Sequence, residues 1–302
     1  MGVYDFVDTF AGLPVVRWDE AEPGDPATVA WSICSDYGAH EIPAVFEELL
    51  ARTGPGGPAA LIVQDWGEPH ASPFPMDVLT GNAHRLRNLR ALFLGEMTGE
   101  QCEISWIKQG DITPILKTFP ALTHLWIRGA DGLELEPVRH ENLRELVLQS
   151  GGLPASVVRA VAASDLPALE GLELWLGVDE YGGDAVADDL APILSGRSLP
   201  ALTRLGLRNA EITDDIAAAV AAAPVVARLE VLDLSMGTLS DTGAEALLTG
   251  QPLTHLRRLD LSHHFMSPEL AQRFTDELPT VAVDVSEEQQ EEEWGRYTAV
   301  SE

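Results

Sequence analysis

Seven times along the chain, apolar residues fall in the spacing first, fourth and sixth. The sets are Leu89, Leu92, Leu94; Leu122, Leu125, Ile127; Leu143, Leu146, Leu148; Leu169, Leu172, Leu174; Leu202, Leu205, Leu207; Leu229, Leu232, Leu234; and Leu256, Leu259, Leu261. Each set has period two at its end, so it predicts a short strand with its leucines on one face and the intervening residues on the other. Weaker copies flank the series at Leu61 with Val63 and at Leu278, Val281 and Val283. The segments between sets mostly carry helix signals. Thr213-Asp214-Asp215 opens an Ala-rich run closed by Pro224, and similar stretches lie at Ile112 to Phe119, Ala155 to Ala163, Asp188 to Leu194, Ser240 to Leu248 and Ser267 to Leu278.

The sets start at 89, 122, 143, 169, 202, 229 and 256, so the spacings are 33, 21, 26, 33, 27 and 27 residues. A strand plus a return element takes about 20–29 residues. The two long intervals therefore imply loops inserted at Glu96 to Gln109 and Gly177 to Asp189, and the short one implies a coil that has lost its helix. One such unit cannot bury its apolar side alone; stacking supplies the missing surface. The expected fold is an α/β solenoid with a parallel concave β-sheet and a mainly helical convex side. Residues 1–57 read as an N-terminal cap and connector, with a strand at Ala30 to Ser35 and an amphipathic helix at Pro43 to Arg52. Residues 58–285 read as the repeat body with its own C-terminal cap. Residues 286–302 hold six Glu and one Arg, which favours an acidic, flexible tail, although Trp294 and Tyr297 offer a way to dock.

The spacing resembles the ribonuclease-inhibitor-like class of leucine-rich repeats. That class commonly places Asn three residues past the last motif leucine, where this chain has Met97, Ala130, Gly151, Gly177, Ala210, Gly237 and His264. The whole chain also resembles a family of bacterial leucine-rich-repeat proteins, through Gly12-Leu13-Pro14-Val15, Glu103-Ile104-Ser105-Trp106-Ile107, Leu172-Glu173-Leu174-Trp175 and the ending Arg296-Tyr297-Thr298-Ala299-Val300-Ser301-Glu302. The resemblance implies the architecture and assigns no chemistry.

Charge narrows the partners. Asp and Glu total 48 against 19 Lys and Arg, a net of −29, with no basic run to override the field, so nucleic acid is excluded as a natural ligand. Two cysteines, an acidic N-terminus and the absence of any apolar run of about 18 residues point to a cytoplasmic protein that neither inserts in a membrane nor depends on disulfides. A monomer before assembly is expected.

The register places two outward columns on the concave sheet. One holds Phe93, Trp126, Val147, Glu173, Gly206, Asp233 and Asp260; the next holds Gly95, Arg128, Gln149, Trp175, Arg208, Ser235 and Ser262. Exposed aromatics anchor interfaces and charges orient them. The binding candidates are accordingly Phe93, Trp126, Arg128, Glu173, Trp175, Arg204, Arg208, Asp233 and Asp260, with the two inserted loops as a rim. Carboxylates in those loops raise the idea of a cation site, but they lack calcium-loop spacing, and His263-His264 lack further zinc ligands. No phosphate loop, dinucleotide fingerprint, metallopeptidase motif or nucleophile elbow occurs, and Cys102 has no evident base. The reading is a noncatalytic scaffold binding an unknown protein or peptide, with no cofactor and no metal. The alternatives are an accessory component that presents a peptide to a separate enzyme, and a carboxylate-rich metal-dependent hydrolase.

Overall fold

The computed structural model describes residues 3–20, 25–35 and 41–302. Among them, twelve strands form one sheet whose spatial order is the chain order. A hairpin comes first: β1 (Thr9–Phe10) pairs antiparallel with β2 (Leu13–Arg17) across Ala11-Gly12, both at positive φ. All later pairings are parallel: β3 (Ala30–Ile33), β4 (Ala60–Val63), β5 (Ala91–Leu94), β6 (His124–Arg128), β7 (Glu145–Gln149), β8 (Gly171–Gly177), β9 (Arg204–Ala210), β10 (Val231–Asp233), β11 (Arg258–Asp260) and β12 (Ala282–Asp284).

The register is set by the leucines. Trp31, Leu61, Leu92, Leu125, Leu146, Leu172, Leu205, Leu232, Leu259 and Val283 stand side by side, each the partner of the next. A slip of one residue would turn every one of them out of the core, which is why the register is strongly specified. These side chains and those from the returns form a continuous core running from Trp18 to Val281.

The returns are mainly helical, as the pattern predicts: α1 (Ile42–Thr53), α2 (Asp77–Thr80), α3 (Thr113–Thr118), α4 (Ala155–Ala163), α5 (Ala191–Leu194), α6 (Thr213–Val220), α7 (Asp241–Thr249) and α8 (Pro268–Glu277). Proline sits in the first turn of α1, α3, α5 and α8, where its missing N–H costs nothing. The Ser240 hydroxyl caps α7 by accepting from the Thr242 amide. The short return from β6 to β7 has no helix.

The positions where the resemblance expects Asn are filled otherwise. Gly177, at φ 70°, leaves room for the Gly151 carbonyl, into which a Cβ would project. Thr213 Oγ1 donates to the Ala210 carbonyl and accepts from the Thr238 amide, and His264 Nδ1 accepts from the Met266 amide while Nε2 reaches the Val285 carbonyl. Hydroxyl and imidazole bonds thus bridge neighbouring coils where an amide side chain would otherwise do so.

The region read as an N-terminal cap and connector contributes β2 and β3 to the same parallel sheet, β3 falling on the strand expected at Ala30 to Ser35. One expectation about the far end needs correction. Residues 286–302, expected as flexible, return across the molecule. The acidic stretch through Glu293 is largely exposed and Trp294 projects at 89% exposure, but Thr298 and Val300 are buried. Composition averaged over the segment hides that its last residues are the ones that pack.

Candidate functional site

The strand pairings reproduce the outward columns read from the sequence: Phe93, Trp126, Val147, Glu173, Gly206, Asp233 and Asp260 are successive partners, continued by Asp284. Exposure along those columns is uneven. Phe93 is fully buried, Arg128 and Trp175 nearly so, and Arg208 is 9% exposed; these four do not project into solvent as expected. Trp126, Glu173, Arg204 and Asp233 remain partly accessible, and Asp260 is buried at the edge of its column.

The covers are the two ends of the chain. Val7 and Phe10 pack on the outward faces of β3, β4 and β5, against Ala30, Ala60, Ile62, Ala91 and Phe93. Phe10, Phe93 and Trp126 form a triangle of tilted and edge-on rings with centroids 5.3–6.0 Å apart. Over the middle of the sheet, Val3 and Val300 meet on Trp175 together with Ile104.

Beneath the N-terminal cover lies a buried polar group that the sequence reading missed. Glu96, with no exposure, accepts from the Val7 amide (2.6 Å) and from Gln64 Nε2 (3.0 Å). Burial pushes its carboxyl up, against those hydrogen bonds and the charge of Arg128. Arg128 donates to Gln149 Oε1 (2.8 Å) and to the Met97 carbonyl, lies over the Phe93 ring at 5.5 Å and is pushed down to about 10 by burial, which Glu96 partly offsets. Its Nη2 has no hydrogen-bond partner. Arg128 is therefore a support of the cover.

The open part of the face runs from Trp126 to Asp284. Trp126 Nε1 donates to Glu145 (2.8 Å), which also pairs with Arg204 (3.3 Å). Arg208 lies over Trp175 at 5.2 Å and joins Glu173 (3.0 Å) and Asp233 (3.3 Å), while Arg258 joins Asp260 (2.6 Å) and Asp284 (3.6 Å). Asp233, Asp260 and Asp284 each accept from the amide and hydroxyl of the Ser two residues on, giving a three-rung Asp-x-Ser ladder. Its rungs differ electrostatically. Burial holds Asp233 above the usual carboxylate range despite Arg208 and Ser235, whereas the bonds from Arg258 and Ser262 outweigh burial and hold Asp260 below it. Between Trp126 and Asp233 lies a shallow depression of about 180 Å³, lined also by Glu145, Val147, Glu173 and Arg204.

With this geometry in view, comparison with known proteins is informative. A family profile described as Leucine Rich repeat matches residues 229–248. None of the curated proteins matches the chain. A crystal structure of a protein from Bacteroides fragilis matches with 30% identity and a TM-score of 0.78, over 84% of this chain and 72% of that one. The chain belongs to the leucine-rich-repeat family. Residues 229–248 cover β10, its turn and most of α7, the coil in which strand, Asp-x-Ser rung and helix follow one another without insertion.

In this leucine-rich-repeat protein two acids of the second inserted loop are engaged locally. Asp184 accepts from the Ala155 amide, and Asp189 pairs with Arg159. Among the described residues no group of three or more His, Cys, Asp and Glu is placed to hold a metal ion. His263 and His264 are buried, and both ring Nε2 atoms contact backbone carbonyls. Cys102 is half-buried, its thiol pushed up to about 11 by burial and by the nearby Asp65 and Glu103. No helix among the described residues is long and apolar enough to cross a membrane.

Proposed function

We propose that this leucine-rich-repeat protein is a noncatalytic scaffold that binds a basic protein or peptide on the open part of its concave face, between Trp126 and Asp284. The observation that carries this reading is the depression between Trp126 and Asp233. It joins a partly accessible aromatic to charged groups already fixed by ion pairs, so little side-chain freedom is lost when a partner arrives. The surrounding face holds five carboxylates, Glu145, Glu173, Asp233, Asp260 and Asp284, against the guanidinium groups of Arg204, Arg208 and Arg258. Asp233, raised by burial, is the carboxylate an incoming cation would relieve most. The chain's net charge of −29 adds long-range attraction for such a partner.

The test starts with a partner isolated on the immobilised wild-type chain and then measures its Kd. Trp126→Ala is expected to weaken binding by about 30-fold, the effect of losing a central anchor. Arg204→Glu, which adds negative charge at a half-exposed position, is expected to tighten it, and rising salt to weaken it. A partner indifferent to both substitutions overturns this site.

A further inference from the structure

Residues 296–301 do not close a strand or a helix. They run back along the rim where the sheet strands end, and three successive coils hold them. Arg296 pairs with Asp214 (2.8 Å) and donates to the Thr238 carbonyl (2.6 Å). The Tyr297 ring stands edge-on to His263 (5.6 Å) and Phe265 (5.4 Å), and His263 Nε2 donates to the Tyr297 carbonyl (3.1 Å). One coil earlier, the Ala299 amide donates to the Met236 carbonyl (2.8 Å). One coil earlier again, the Asn209 side chain holds both sides of Val300: Oδ1 accepts from its amide (3.0 Å) and Nδ2 donates to its carbonyl. The Val300 side chain fills an apolar pocket made with Trp175, Ile104 and Val3.

Three features distinguish this from ordinary end packing. A side-chain amide paired with both backbone polar groups of one residue reads main chain without regard to the side chain it carries, as extended-peptide sites do. Asn209, Met236 and His263 occupy one column of the repeat, and all three are left-handed, at φ 53°, 68° and 57°. Such conformations are costly for residues other than Gly, and here they aim one group per coil at the same bound segment. Finally, the bound residues are joined to the body through the exposed residues 290–294, a short linker that follows the preceding backbone bond to the repeats, from the Gln289 amide to the His264 carbonyl.

We propose that this rim is a recognition groove for an extended peptide with a basic residue, an aromatic, two small residues and a β-branched aliphatic residue, and that residues 296–300 of the chain occupy it as a built-in ligand. The groove is separate from the depression at Trp126. A partner segment of the same chemistry enters by displacing the resident one, and displacement uncovers Trp175.

The probe is a fluorescein-labelled peptide of residues 293–302, titrated against the full chain and followed by anisotropy. The resident segment competes at the high effective concentration of a short tether, so wild type binds the probe weakly. Val300→Asp in the full chain weakens that competitor and is expected to raise probe affinity at least tenfold. Adding Asn209→Ala to it should remove the gain, and Trp126→Ala should leave it in place. Equal affinity for wild type and Val300→Asp, or indifference to Asn209→Ala, overturns the proposal. Hydrogen exchange of the wild-type chain adds a measurement that does not depend on any variant folding. Amides of Ala299 and Val300 should exchange at least 100 times faster than those of Leu205 and Leu232 in the sheet, because a displaceable segment opens locally. Equal protection would make the segment a fixed part of the fold and refute displacement.

Discussion

Removing Glu96 should reveal how far the N-terminal segment belongs to the fold. Glu96→Ala leaves the Val7 amide and the Gln64 amide without their acceptor, and it deprives the buried Arg128 of an offsetting charge. An unsatisfied buried donor costs about 1–3 kcal/mol, and Glu96 is the acceptor for two of them. The expected loss is therefore about 2–5 kcal/mol, read by urea unfolding. Arg128→Met on the Glu96→Ala background should restore part of it, so that the double variant loses at least ~1 kcal/mol less than the sum of the single ones. The sign of the pH dependence follows from the raised carboxyl of Glu96. A folded value above the unfolded one means that the folded state keeps a proton the unfolded state has released. The contribution of Glu96 is then complete below about pH 4, the ordinary carboxylate range, and falls as pH rises through the folded value. The cost of Glu96→Ala should accordingly be larger at about pH 4 than at pH 8. A loss under ~1 kcal/mol would refute the role of Glu96 as the acceptor that holds residues 3–10 over the sheet, and strict additivity with Arg128→Met would refute its electrostatic coupling to Arg128.

Other outcomes are expected at single positions. Gly177→Ala, at positive φ and with its Cβ directed at the Gly151 carbonyl, should lower stability by about 2 kcal/mol or more, and a neutral result in thermal unfolding would contradict the coil spacing there. Cys102, its thiol raised from 9.0 to about 11, should react with iodoacetamide at neutral pH roughly a hundredfold more slowly than an ordinary thiol, its rate still rising beyond pH 9; a rate that levels off by about pH 9 would contradict that. Asp214 is held below its ordinary value because hydrogen bonds from Ser240 and Arg296 outweigh burial. Its hold on Arg296 should be complete above about pH 4 and lost as pH falls through the depressed value, so protection of the Ala299 amide should drop in acid in wild type but not in Asp214→Asn.

The architecture was legible because the inward positions carry a strong, repeated signal. Leucines from Leu92 to Leu259 specify the sheet register, and the helix starts at Thr213 and Ser240 carry their own capping and charge chemistry. The outward columns were equally legible, since they follow from the same register. Their exposure was not. Ala60–Val63 and Ala91–Leu94 are apolar on both faces, which is the mark of strands covered on both sides, and the spaced Val7 and Phe10 are the apolar residues available to cover them. That signal points to the N-terminal seal, whereas the cover of Trp175 has no local signal at all: it comes from Val3, Ile104 and Val300, far apart in the chain, and depends on backbone paths that the folded repeats define.

The two halves of the concave face obey one rule, and it explains why function is assigned where it is. An outward position on a parallel sheet has either to bury its apolar surface or to satisfy its polar groups. On β3 to β5 the outward residues are Ala30, Ser32, Ala60, Ile62, Ala91 and Phe93, and the chain folds its own Val7 and Phe10 over them, because a bare patch of that kind invites association. From β10 onward the outward residues satisfy themselves. Each Asp of the Asp-x-Ser ladder binds the amide and hydroxyl two residues ahead, so these strands stay open without an orphaned backbone donor. Between the two regimes stand β6 to β9, where Trp126 is half covered by Phe10 and the carboxylates of Glu145 and Glu173 are held by arginines from later coils. There, accessible apolar area and fixed charge coincide, which is why the proposed partner site is placed at that junction.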